Sequence, residues 1–300
     1  MLSLELFAGL LSKLPANCSL VLVGDPNQLS SVGTGNLIPE LLELGCPVTR
    51  LERQYRQSDN ESALFYNVVN YPKLSDSEEL KFDDSFQLIP ASEGDIFKVI
   101  QEEAVKRYLA GENVQVIATT RADVKKLNEA LQQVVNPPAE GKAEVTHNGI
   151  TVRENDRTMI LKNNREERCF NGDIGTAHVE PMEGGSAFIH IPLSANRQPK
   201  FFSAKIGSTL ALAYALTVHK SQGSQYDTVI MPASTDCQKM LRRNLFYTAI
   251  SRAKSRSSLL EVRRRSTSQW SRHRSRARVC WSSRRTRRCT LPHEIQISCY

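Results

Sequence analysis

Short, continuous apolar runs recur along the chain at residues 19–23 (SLVLV), 114–118 (VQVIA), 210–218 and 226–231. Runs of this kind are buried in parallel sheets. Between them lie segments with apolar residues at helical spacing: 2–14, 62–71, 95–110, 123–135 and 244–254. In 95–110 the apolar positions are Ile96, Val99, Ile100, Ala104, Val105 and Tyr108, and Gly111 ends the repeat as a C-terminal glycine does. Asn136-Pro137-Pro138 closes the next helix. Strand, polar tip and helix in alternation predict an α/β fold whose tips sit at the carboxyl ends of parallel strands, where such sheets bind ligands. Residues 145–207 differ in texture. Alternating segments at 156–161, 170–178, 187–191 and 200–206 are separated by Asn163-Asn164, Asn171-Gly172 and Gly184-Gly185, which predicts a small all-β barrel or sandwich.

Three polar tips carry the candidate chemistry. Gly24, Asp25 and Gln28 belong to GDPNQ after the first run; Thr119, Thr120 and Arg121 follow the second. The third, His219 to Ser224 (HKSQGS), lies between two apolar runs. Its Lys brings charge, its Ser and Gln bring hydrogen bonds, and its Gly lets a backbone approach closely, a set suited to a phosphate-rich partner. From the residues alone, GDPNQ also reads as a turn, the Thr119–Arg121 tip as a helix cap by Thr120 or Asp123, and HKSQGS as a solvated connection. Arg53 and Arg56 in LERQYRQ read as a basic helix end, and Arg252 as a dipole partner closing an amphipathic helix.

Composition changes this picture in two places. The net charge of +7 belongs to the end of the chain, since residues 255–300 hold 12 Arg, 10 Ser, no Lys and 2 acidic residues, leaving residues 1–254 at −3. Basicity is therefore no argument for nucleic-acid binding by the main body. Seven Cys, an odd number without a CxxC spacing, argue against a disulfide framework or zinc site and for a reducing, cytoplasmic setting. Residues 2–14 lack a basic leader and carry Glu5 and Lys13, so they read as an amphipathic helix. No run approaches the roughly 18 apolar residues of a membrane span. At 300 residues and 40% hydrophobic content, one large domain or two to three smaller ones can bury real cores.

Taken in order, these segments resemble the motifs of superfamily 1 DNA helicases of the RecD type. VLVGDPNQLSSVGTGN (21–36) resembles motif III, the YRQ of LERQYRQ (51–57) motif IV, and VIATTRADVKKLNEALQQVVNP (116–137) motif IVa with its helix. The HKSQGS stretch resembles motif V, LFYTAISRA (245–253) motif VI, and DRTMILKNN…FNGDIGTAHV (156–179) the SH3-like insert of that family. The resemblance implies a remnant of a first RecA-like domain at 1–50 and a second RecA-like domain at 51–145 and 208–262. An SH3-like insert is implied at 146–207, while the loss of Lys and of helical periodicity makes 263–300 an Arg/Ser-rich tail, disordered or out of frame. It implies an ATP-dependent helicase that moves 5′ to 3′ on single-stranded DNA in repair or recombination, with ATP and Mg²⁺ as cofactors. DNA, single- or double-stranded, is then the partner, with any repair-complex subunits unidentified and no membrane involved.

On that resemblance Gln28, Arg56 and Arg252 face the γ-phosphate, where a planar, always-charged guanidinium is not replaceable by Lys. Gly24, Asp25, Gly223 and Gln225 join the nucleotide site, while Thr119, Thr120, Thr217, His219, Lys220 and Ser221 grip the DNA backbone. The family writes Ser-Glu after the motif V glycine; here Ser224-Gln225 keeps an acceptor oxygen and loses the charge. No G-x-x-x-x-G-K-[ST] occurs, Gly141-Lys142-Ala143 lacking its upstream glycine and hydroxyl, and no Asp-Glu pair precedes Gly24. Because residues 1–4 resemble the continuation of the family's Asp-Glu motif, the expectation is an internal fragment whose main phosphate and metal ligands lie upstream and which does not hydrolyse ATP alone. The family also continues past motif VI with an apolar strand, of which only Leu259-Leu260 are a trace. Two other readings stay open: a non-catalytic nucleic-acid-binding remnant dominated by the basic tail, and the helicase half of a conjugative relaxase.

Overall fold

A computed structural model describes residues 2–262, apart from 16, 32, 34, 52, 58, 74–79, 93 and 234–242, together with 296–299. In chain order its helices and strands begin with α1 (Leu4–Leu11), β1 (Val21–Gly24), α2 (Leu37–Glu43), β2 (Val48–Arg50), α3 (Ala63–Asn70), β3 (Phe86–Ala91), α4 (Ile96–Leu109), β4 (Val114–Ala118) and α5 (Arg121–Val135). Short strands follow: β5 (Glu144–His147), β6 (Ile150–Arg153), β7 (Arg157–Ile160), β8 (Ile174–Thr176), β9 (His178–Pro181), β10 (Ala187–His190), β11 (Lys200–Phe202) and β12 (Leu210–Leu212). The remaining elements are β13 (Ala215–Thr217), α6 (Val218–Ser221), β14 (Tyr226–Ala233), α7 (Arg243–Ile250), β15 (Ala253–Val262) and β16 (Gln296–Cys299).

The α/β expectation holds. A five-stranded sheet in the order β13-β4-β14-β15-β3 is parallel throughout. One face is covered by α4 and α5, whose Ile96, Ile100, Ala104, Leu127 and Leu131 pack on Val114, Val116 and Ile230. The other is covered by α3 and α7 through Leu64, Val68, Phe246 and Ile250 against Ile117, Val229 and Met231. Burial on both faces explains why VQVIA carries no alternation: all five of its residues are buried. Gly111 adopts φ +76°, the left-handed conformation that ends α4.

Three expectations need correction. The strand after motif VI, traced in the sequence only by Leu259-Leu260, is the full ten-residue β15 between β14 and β3. Its signal is broken by Ser257 and Ser258, which are fully buried although polar. The apolar run 210–218 is not one strand: β12 pairs antiparallel with β7, and after a corner at Ala213 and Tyr214, β13 pairs with β4. The run 19–23 is not buried on both faces. Leu22 joins Phe7, Leu37 and Leu41 in a small core under α1 and α2, whereas Val21 and Val23 are 61% and 60% exposed because only one face of that sheet is covered. This sheet has the order β1-β16-β2, all parallel. Most of the Arg/Ser-rich stretch 263–300 lies outside the described residues, and its segment Gln296–Cys299 is the middle strand here. Part of the motif III segment 21–36, residues 32 and 34, also falls outside.

Strands β5 to β12 enclose a separate apolar core of Val145, Val152, Ile160, Cys169, Ile189, Ile191 and Leu210. The β5–β6 hairpin, absent from the sequence-based strands, turns through Asn148 (φ 49°) and Gly149 (φ 72°), the pair of left-handed residues a type I′ turn requires. Gly175 in β8 is needed for space, since a Cβ there would lie 2.5 Å from Cγ2 of the buried Ile191. Gly175→Ala is accordingly expected to lower stability by about 1–3 kcal/mol through overpacking, read as an earlier urea midpoint; an unshifted midpoint would disprove this account of β8. Among the described residues no helix is long and apolar enough to cross a membrane, and Cys18, Cys46 and Cys169 are free.

Candidate functional site

The tip after β1 meets the region around α7. Asp25 shapes its own loop, its Oδ1 accepting from Asn27 N at 2.9 Å and its Oδ2 from Gln28 Nε2 at 3.0 Å. From α7, Tyr247 donates its hydroxyl to the same Oδ2 at 3.0 Å, Asn244 Nδ2 donates to Gln28 O at 3.2 Å, and Thr248 Oγ1 accepts from Leu29 N at 2.8 Å. Gln222 Nε2 reaches Leu29 O at 3.4 Å. Gly24, its prospective Cβ 3.3 Å from Ile38 Cγ1, permits close packing of α2 on the strand end.

Two arginines converge beside this loop. Arg56 Nη1 donates to Ser251 O, while its buried Nε has no partner among the described residues. Arg252 is 3% exposed, its Nε donating to Thr248 O at 3.1 Å and its Nη2 to Ser251 Oγ at 3.0 Å. Burial, and then the like charge of Arg56, pulls the Arg252 guanidinium down to about 10. Arg56 is lowered by burial, with Tyr247 and Asp25 acting in the opposite direction. Burying two like charges together is unfavourable unless a group of opposite charge shares the space, and Asp25 is the carboxylate whose field both feel. An unpartnered Nε and two desolvated guanidiniums fit a polyphosphate anion. Among the described residues no group of three or more His, Cys, Asp or Glu is placed to hold a metal ion.

The remaining tips lie together at the carboxyl ends of β4 and β13, adjacent strands of the large sheet. Thr217 caps α6, its Oγ1 accepting from Lys220 N at 3.4 Å. His219 and Lys220 are exposed. Partial burial, followed by repulsion from Arg121, lowers the Lys220 ammonium, which places the two cations near each other. Thr120 caps α5, accepting from Asp123 N at 3.0 Å and donating to Asp123 Oδ2 at 2.6 Å, so the capping reading describes its hydroxyl. Ser221 is fully buried and donates to Val218 O at 2.8 Å, an internal contact and not a DNA-facing one. Gly223 adopts φ +85° with nothing within 4 Å of a prospective Cβ, so local backbone conformation accounts for it. Gln225 is exposed, while Thr119 is half-buried. The structure thus gathers Asp25, Gln28, Arg56 and Arg252 at one place and Thr119, Arg121, Thr217, His219 and Lys220 at another. Asn244, Tyr247 and Thr248, which complete the first with Gln222 of the HKSQGS tip, were not among the residues singled out from the sequence.

Residues 212–260 match the UvrD-like helicase C-terminal domain, 127–184 the ATP-dependent RecD-like DNA helicase SH3 domain, and 1–70 an AAA domain. The RecBCD enzyme subunit RecD of Mycolicibacterium smegmatis is 26% identical over 282 residues, covering 85% of this chain and 47% of that protein. The ATP-dependent RecD2 DNA helicase of Deinococcus radiodurans is 29% identical over 257 residues, covering 84% of this chain and 34% of that protein. The conjugal transfer protein TraA of Agrobacterium fabrum is 27% identical over 253 residues, covering 79% of this chain and 21% of that protein. The chain spans about half or less of the length of these relatives.

Proposed function

From the premise that this chain is a RecD-like helicase chain, we propose that it forms the phosphate-sensing and strand-gripping part of a motor that couples ATP hydrolysis to movement along single-stranded DNA, running 5′ to 3′. Residues 1–50 then contribute the edge of a first RecA-like lobe, 51–145 and 208–262 build the second, and 146–207 form the SH3-like insert. The observation that carries this reading is the convergence of Arg56 and Arg252 on the loop holding Gln28, where the first lobe meets α7.

In this reading Gln28, Arg56 and Arg252 surround the terminal phosphate, with Gly24 and Asp25 forming the turn behind Gln28. ATP supplies a phosphoryl group whose charge spreads over its outer oxygens during transfer, and the two guanidiniums, already stripped of water, stabilise that charge without reorganising. Lys220, His219 and Arg121 hold the DNA phosphates, with the backbones of Thr119 and Thr217 at the same strand ends. Gln222 links the two places, because it caps α6 and touches the Gln28 loop. Gly223 and Gln225, close behind Gln222 in the chain, are assigned to the nucleotide side with it. The 27% identity to TraA lies between the 26% to RecD and the 29% to RecD2, and so does not favour a relaxase over a repair helicase.

Binding of a fluorescent single-stranded oligonucleotide at several salt concentrations tests the strand assignment. The Lys220→Ala, Arg121→Ala double variant is expected to bind about tenfold more weakly at about 0.1 M salt, with the salt slope reduced by about 2. Binding unaltered by that pair but lost on deleting residues 263–295 would instead assign nucleic-acid binding to the arginine-rich tail.

A further inference from the structure

Asn244, Tyr247 and Thr248 are spaced as neighbours on one face of α7, and all three contact the segment 25–29. The amides of Asn27, Gln28 and Leu29 each have a partner there: Asp25 Oδ1 at 2.9 Å, Asp25 O at 3.3 Å and Thr248 Oγ1 at 2.8 Å. Within this grip Asp25 Oδ2 receives two donors at 3.0 Å, the Gln28 amide from its own loop and the Tyr247 hydroxyl from the facing helix.

We propose that Tyr247 is a positioning residue: by holding Asp25 across the junction, it sets the Gln28 amide at the phosphate site and keeps the carboxylate from closing on Arg56 and Arg252. The proposal deepens the nucleotide reading of this site and rests on it. An unpinned carboxylate beside two desolvated guanidiniums would form direct, charge-assisted hydrogen bonds with them, which an incoming phosphate would then have to displace. A phenol donating to the carboxylate shares its charge and fixes its direction. Burial, followed by the charge of Asp25, pushes the Tyr247 phenol up, so the hydroxyl keeps the proton it donates. The ring itself packs beside the core formed by Phe246 and Ile250, which Phe would preserve.

The test compares the 300-residue chain with its Tyr247→Phe variant, by amide hydrogen exchange and by calorimetric titration with tripolyphosphate. Loss of one hydrogen bond to a charged group, worth about 1.5–3 kcal/mol, corresponds to about a ten- to hundredfold change. The amides of residues 27–29 are therefore expected to exchange at least about tenfold faster in the variant, and tripolyphosphate to bind about tenfold more weakly, with exchange in β4 and β14 unchanged. Unchanged exchange at 27–29 overturns the proposal, as does acceleration spread equally through β4 and β14, which would mark Tyr247 as a general structural residue. If wild type binds tripolyphosphate and the variant matches it in both measurements, the nucleotide reading stands and the positioning role fails. If neither protein binds tripolyphosphate although exchange at 27–29 accelerates, the nucleotide reading fails and the role assigned to Tyr247 falls with it.

Discussion

Replacing Asp156 with Ala is expected to destabilise the chain by about 3–5 kcal/mol, the largest effect of any single polar substitution considered for this fold. Its carboxylate is fully buried between the β insert and the large sheet. Oδ1 accepts from the Tyr214 hydroxyl at 2.8 Å and from Asn136 Nδ2 at 2.7 Å, while Oδ2 accepts from Arg153 N at 2.7 Å and from Gln132 Nε2. These donors come from the corner before β13, the C-terminal end of α5 and the strand β6, so one side chain ties three parts of the fold. Alanine leaves those donors without their acceptor in a place water does not reach, and each orphaned group adds a desolvation cost. Asn, which keeps one acceptor oxygen, should recover roughly half of the loss. Urea denaturation of wild type, Asp156→Ala and Asp156→Asn measures this, and a loss below about 1 kcal/mol for Ala would show that the network is not a structural tie. Tyr214 reports the same contact, since burial and then Asp156 raise its phenol above the usual range.

The second large effect separates stability from function. Arg252→Met is expected to leave the fold as stable as wild type within about 1 kcal/mol while weakening tripolyphosphate binding about ten- to hundredfold. Burial, together with the like charge of Arg56, lowers Arg252 to about 10, so keeping it charged disfavours the native state by about 3 kcal/mol at neutral pH, at about 1.36 kcal/mol per pH unit. Methionine, similar in length, removes that cost and forfeits the hydrogen bonds to Thr248 O and Ser251 Oγ. Urea midpoints of the two proteins at neutral pH measure the stability difference. A stability loss of several kcal/mol in Met at neutral pH, with unaltered anion binding, would make Arg252 a structural residue.

Much of the scaffold was legible from local patterns. The helical spacing in α4 and α5, the Gly111 stop and the continuous apolar run of β4 each depend on neighbours within a few residues, and each appears as read, within a residue or two at the ends. Strand β15 was not legible, because Ser257 and Ser258 occupy fully buried positions in a strand between two others and interrupt the apolar signal. The split of 210–218 between two sheets was hidden for another reason. Apolarity reports burial but not the partner strand, and Leu210–Leu212 and Ala215–Thr217 pair with different sheets on either side of one corner.

At the candidate site, amino-acid order by itself determined which chemical groups are available and in what succession: Asp25 and Gln28, then Arg56, then Thr119 to Arg121, then His219 and Lys220, then Arg252. Tertiary structure alone decided which of them work together. Tyr247, Asn244 and Thr248 meet Asp25, Gln28 and Leu29 across 222, 216 and 219 residues of chain, and no periodicity spans that separation. Ser221 and Thr120, polar and well placed in the sequence, turn their hydroxyls to Val218 O and Asp123. Hydrophobic pattern selects elements because burial is a property each residue contributes locally, whereas a hydrogen-bonded junction exists only after the sheets and helices have set two distant segments about 3 Å apart.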